Sequence, residues 1–105
     1  MRWLVIAMLV VSRPALAECD LSKLIGYTLV FSKIIDGYVQ DGKRVRGFEG
    51  CRADRVLVFA DNTGVRCRET FIQQGNFPTA YLFARNANDM KLCVEGSIYE
   101  VAQAN

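Results

Sequence analysis

Residues Arg55 to Thr70, RVLVFADNTGVRCRET, are the longest apolar and β-branched stretch outside the amino-terminal segment. Asp61-Asn62-Thr63-Gly64 interrupts it at the middle with turn-forming residues, so it reads as a β-hairpin. Cys67 lies in its second strand and Cys51 just ahead of its first. With Asn62-Thr63 as a two-residue loop, Ala60 faces Val65 and Val58 faces Cys67. Phe59 then faces Arg66 and Leu57 faces Arg68. On that register the small apolar face carrying Cys67 turns inward. The other face lays two guanidinium groups over Phe59 and Leu57 at the surface. A change of one residue in loop length exchanges the two faces.

The cysteines set the second constraint. Residues 1–17 combine a basic start, an apolar run from Trp3 to Val11 and an Ala15-Leu16-Ala17 ending, which is the pattern of a cleaved secretory signal peptide. The run is far shorter than the ~20 residues of a membrane-spanning helix. Glu18 before Cys19 is neither small nor neutral, which argues against lipidation of that cysteine. Cleavage after Ala17 leaves residues 18–105, one small domain of a size that often depends on disulfides once exported. Cys19, Cys51, Cys67 and Cys93 contain no C-x-x-C spacing, and the chain has no histidine. Two disulfides are therefore expected and no metal site. Local reach favours Cys51–Cys67 with Cys19–Cys93 among the three possible connectivities. In the chain-entropy account these closures stabilise by about 3 and about 4–5 kcal/mol.

Charge excludes one class of partner. The chain carries 13 basic and 11 acidic residues, and Arg2 and Arg13 leave with the leader, so the domain is close to neutral. Nucleic acid is not an expected partner, and net charge gives no argument for an anionic membrane.

Along the domain, Asp20 caps a helical turn in which Leu21, Leu24 and Ile25 share a face, and Gly26 ends it. Strands are expected over Tyr27 to Ile35, continuing through Gln40 after a bend at Asp36-Gly37. Asp41-Gly42 turns the chain into a return strand, Lys43 to Phe48. After the central hairpin come a polar loop, Phe71 to Asn76, and strands at Thr79 to Arg85, Met90 to Val94 and Ile98 to Ala102. The expected fold is all-β, a small antiparallel meander or barrel with one amino-terminal helical turn and two disulfides. The long early hairpin followed by three strands suggests an SH3-like arrangement.

Phe48-Glu49-Gly50-Cys51, the Arg55–Gly64 segment, Cys67, Pro78-Thr79-Ala80 and Met90-Lys91 with Cys93-Val94 resemble a group of small exported proteins of Gram-negative bacteria. The resemblance implies a periplasmic or secreted location and an all-β domain. It brings no catalytic residue with it, because the group has no established activity.

Chemistry is thinly signalled. Without histidine, Ser-His-Asp and Cys-His nucleophiles are excluded, and no phosphate-binding glycine loop, cofactor motif or spaced calcium loop occurs. Asp36 with Asp41, Asp54 with Asp61, and Glu95 with Glu100 are the available carboxylate pairs, each at a turn or strand end where acids are common. The basic residues Lys43, Arg44, Arg46, Arg52, Arg55, Arg66 and Arg68 are the most suggestive feature. A candidate contact surface is therefore Arg44, Arg46, Arg66 and Arg68, with Phe59 and with Phe71 and Phe77 from the polar loop. The leading expectation is a non-enzymatic binding module for an envelope protein or an acidic glycan. The alternatives are a carboxylate-dependent envelope hydrolase and an envelope inhibitor or stress-protective protein.

Overall fold

The computed structural model describes residues 19–104, so the expected signal peptide lies outside the described residues. A single 3-10 turn, Leu21–Leu24, precedes seven strands: β1 Thr28–Gln40, β2 Lys43–Arg46, β3 Val56–Phe59, β4 Gly64–Cys67, β5 Thr79–Asn86, β6 Asp89–Val94 and β7 Ser97–Gln103. All pairings are antiparallel, in the order β2-β1-β3-β4-β7-β6-β5, and β5 closes back onto β1. Six strands thus form a closed barrel, and β2 hangs outside it on the second half of β1. The strands do not run as a plain meander. After β1, β3 and β4, the chain crosses one barrel end so that β5 lies beside β1, a Greek-key return.

β1 serves two neighbours because it is long. Residues 28–34 pair with β5, and residues 35–40 pair with β3 and β2. The expected bend is a bulge in a continuous strand, with Asp36 as the extra residue between Ile35 and Gly37.

The interior follows the two-residue period. Leu82, Leu92 and Tyr99 oppose one another across β5, β6 and β7, and Tyr38, Leu57 and Val65 do so across β1, β3 and β4. All six are buried. Both expected disulfides form, Cys51–Cys67 and Cys19–Cys93. Cys51–Cys67 is part of the barrel core. Cys19–Cys93 pins the amino-terminal turn to the outside of β5 and β6, where Leu24 and Phe83 bury a second small cluster. Asp20 caps that turn by accepting from the Ser22 amide. Leu24 alone packs, while Leu21 and Ile25 are exposed, which narrows the apolar face expected there.

The two barrel ends differ. At one, the 68–78 segment folds over the opening. Phe71 and Phe48 meet Tyr99 edge-on, the Tyr99 hydroxyl donates to Gln73 Oε1, and Gln73 Nε2 donates to the Val94 carbonyl at 3.1 Å. Burial raises the Tyr99 phenol pKa well above its ordinary value. Among the described residues, no segment covers the other end in this way.

The seam between β1 and the β3–β4 turn is closed by Lys33. Its Nζ lies over the Phe31 and Phe59 rings, 4.4 and 5.8 Å from their centres, and 2.8 Å from both Asp61 Oδ2 and Thr63 Oγ1. Those bonds from Lys33 and Thr63 hold the Asp61 carboxyl well below the usual carboxylate range. Asp89 is lowered too, chiefly by the Tyr27 hydroxyl, and Asp20 by Ser22. A carboxylate with a depressed folded pKa contributes stability above the unfolded value of about 4, and loses it as pH falls through the folded value. The denaturation midpoint is therefore expected to fall as pH drops below about 4. Urea titrations at successive pH values check this, and Asp61→Asn flattens the fall.

Candidate surface on the outer face of the sheet

The central hairpin differs from the expected register. Val56 pairs with Arg66, Leu57 with Val65 and Val58 with Gly64. The loop is Ala60-Asp61-Asn62: the Asn62 amide bonds the Phe59 carbonyl, the Phe59 amide bonds the Thr63 carbonyl, and Asn62 has φ +69°. This is a type I turn closed by a left-handed residue that asparagine tolerates. The three-step change in register exchanges the faces. Leu57 and Phe59 go inside, and Phe59, 1% exposed, stacks edge-on to Phe31. Phe59 is therefore a core residue and leaves the candidate surface.

The arginines stay outside, and the sheet brings them together. Arg44 pairs with Val39, Val39 with Val56, Val56 with Arg66 and Arg66 with Ala102. Paired residues in an antiparallel sheet point to the same side, so these five side chains form one outward row. One pleat along, Arg46, Gly37, Val58 and Gly64 form the next. Arg68 lies two residues beyond Arg66, and its amide donates to the Glu100 carbonyl, which keeps it on the same face at the far end. The result is a strip of Val39, Val56 and Val58 with Arg44 and Arg46 along one side and Arg66 and Arg68 along the other.

The glycines keep the strip shallow. A Cβ at Gly37 would stand 2.2 Å from the Val45 carbonyl oxygen, so only glycine lets β2 approach there.

The bulged Asp36 faces the β2 arginines, 2.9 Å from Arg44 and 3.4 Å from Arg46. Both pairs are exposed and contribute little to stability. They hold the two guanidinium groups side by side. Arg46 also lies 5.1 Å from the centre of the Phe77 ring, which attaches the 71–78 loop to this edge. Among the described residues, neither Arg66 nor Arg68 has a carboxylate within salt-bridge distance.

The remaining candidates separate. Phe71 belongs to the closed barrel end, half-exposed against Tyr99 and bridged to Cys51, away from the arginine strip. Arg55 is 5% exposed and structural: its Nε donates to Gln40, its Nη1 to the Gly50 carbonyl, and its guanidinium covers Tyr38 at 4.0 Å. Two of the carboxylates singled out in the sequence are engaged by cations, Asp36 by Arg44 and Arg46, and Asp61 by Lys33. The strip's valine floor was missed from sequence. An early sign was the alternation Val56-Leu57-Val58-Phe59, whose two largest side chains sit on one side.

No helix among the described residues is long and apolar enough to cross a membrane, and no group of three or more metal-ligating side chains occurs among them. No family model matches the chain, and neither a curated protein nor a solved structure matches it.

Proposed function

We propose that this chain is an exported, non-enzymatic binding module that holds an acidic glycan against the outer face of β2, β1, β3 and β4. One observation carries the reading: Arg44, Arg46, Arg66 and Arg68 share a single outward sheet face around a half-apolar floor, on a domain whose total charge is close to balanced. β2 and β4 are three strand spacings apart, roughly 14 Å, a span suited to an extended chain rather than one small anion. Guanidinium groups meet carboxylates with paired, planar hydrogen bonds, and Val39 and Val56 offer the apolar contact that a sugar ring's C–H face uses. The resemblance to small exported Gram-negative proteins supports a periplasmic or secreted location. Two disulfides are compatible with an oxidising compartment.

The test is calorimetric titration with a polyuronate and with neutral dextran across a salt series. The polyuronate is expected to bind with an affinity that falls as salt rises, while dextran does not bind. Arg66→Glu with Arg68→Glu lowers that affinity by at least roughly tenfold, about 1.4 kcal/mol. Unchanged affinity in that variant removes this face from the reading. Capture of an acidic protein in place of the glycan replaces the ligand class.

A further inference from the structure

At the uncovered end of the barrel is a cavity of about 370 Å³ between β1, β4, β5, β6 and β7. Its walls are Phe31, Val65, Leu82, Ala84 and Met90, with Val30 at the lip. These are residues of the interior face continued to the rim: Phe31 opposes Leu82, and Ala84 opposes Met90.

Two bulges fall at this rim. One makes Val30 the extra residue between Leu29 and Phe31, the other Arg85 between Ala84 and Asn86. Bulges bend strands and re-aim side chains, and they cluster at barrel rims and beside binding sites. Val30 is left 54% exposed, a large apolar side chain facing water at an opening lined by others. At the opposite end the 68–78 segment closes the barrel; among the described residues none closes this one.

We propose that this mouth binds a small neutral amphipathic molecule, its apolar body between Phe31, Leu82 and Met90 and its polar head at the rim. The volume lies within the usual range for ligand pockets, and barrel mouths are a common place for them. Among the described residues no acidic or basic side chain lines it, so a charged group drawn inside would lose hydration without a partner. The polar side chains present are the amides of Asn86 and Gln103. Asn86 Oδ1 already accepts from the Asn88 amide at 2.8 Å, which leaves its amino group to donate to an alcohol or carbonyl oxygen. The site borders the arginine strip, at Gly64 and where Arg68 lies beside Ala87 and Gln103, but takes the opposite kind of ligand.

Met90 is the only methionine among residues 19–104, so a 13C-methyl label gives one signal inside the mouth. The probe is N-phenyl-1-naphthylamine, which is neutral and fluoresces when it leaves water. Titration is expected to move the Met90 methyl signal saturably and to raise the fluorescence in parallel. Decanol then displaces the probe, whereas decanoate, its charged counterpart, does so at least tenfold less well. Ala84→Phe fills the mouth and abolishes both responses. Ala87→Trp, on the exposed turn at the rim, reads the same point should the first variant fail to fold. Arg44→Glu with Arg46→Glu, on β2 away from the mouth, leaves probe binding intact, so the outcome is distinguishable from that of the glycan reading. A Met90 signal that does not move in the wild-type protein, or probe binding unchanged in a folded mouth-filling variant, overturns the proposal.

Discussion

Replacing Cys19 and Cys93 together by alanine is expected to lower the unfolding free energy by about 4 kcal/mol and the melting temperature by on the order of 20 °C. The bridge spans a sequence separation of 74, against 16 for Cys51–Cys67, so its loss frees far more of the unfolded chain. A domain of this length has a total stability of roughly 5–10 kcal/mol, and the variant approaches the point of unfolding. The two bridges also differ in what they hold. Cys19–Cys93 ties the 3-10 turn to the outer side of β5 and β6, so its removal exposes Phe83 and Leu24 while the barrel pairings remain possible. Cys51 and Cys67 are inside the barrel core, and their replacement by alanine costs about 3 kcal/mol from chain entropy together with packing lost around the removed sulfurs. Calorimetric melts of the two double variants, with near-ultraviolet circular dichroism for the aromatic clusters, separate these effects.

Gly50→Ala is expected to destabilise by about 3 kcal/mol or more. Gly50 has φ +92°, and a Cβ there would stand 2.1 Å from the Phe71 carbonyl oxygen and 2.7 Å from the Gln73 amide. Both are backbone atoms that cannot rotate away. Next to it Cys51 and Phe71 exchange two backbone hydrogen bonds, and the Gly50 carbonyl accepts from buried Arg55. The added methyl therefore presses on the loop that covers the closed barrel end. Chemical denaturation shows the loss, and faster amide exchange at Cys51 and Phe71 than in β6 locates it.

Much of this fold was legible from local signals. Asp41-Gly42 marks the β1–β2 turn, Asn86 to Asp89 the β5–β6 turn, and Glu95-Gly96 the β6–β7 turn, each between residues dense in β-formers. The disulfide pairing followed from reach, because Cys51 and Cys67 flank one hairpin strand. Phe59 shows where local reading fails. Asp61-Asn62-Thr63-Gly64 supports both a two-residue loop and a three-residue loop with Asn62 left-handed, and turn propensity does not separate them. The choice is made by burial of Leu57 and Phe59, which is a tertiary effect. Closure of β1 on β5 was not legible for the same reason: it joins residues about fifty positions apart through contacts that no local pattern encodes. The arginine strip lies between these cases. Its residue types were visible, but their common face depends on the register of three strand pairs.

That common face is also what the proposed function rests on. Backbone amide shifts recorded during a polyuronate titration, at low salt and on the folded protein with both disulfides intact, test it most directly. The expected result is that the largest changes fall on Gly37, Val39, Val56, Val58 and Arg66, with the Arg44, Arg46 and Arg68 side-chain signals moving with them. Shifts confined to other surfaces, or no saturable shift in these residues, would contradict it.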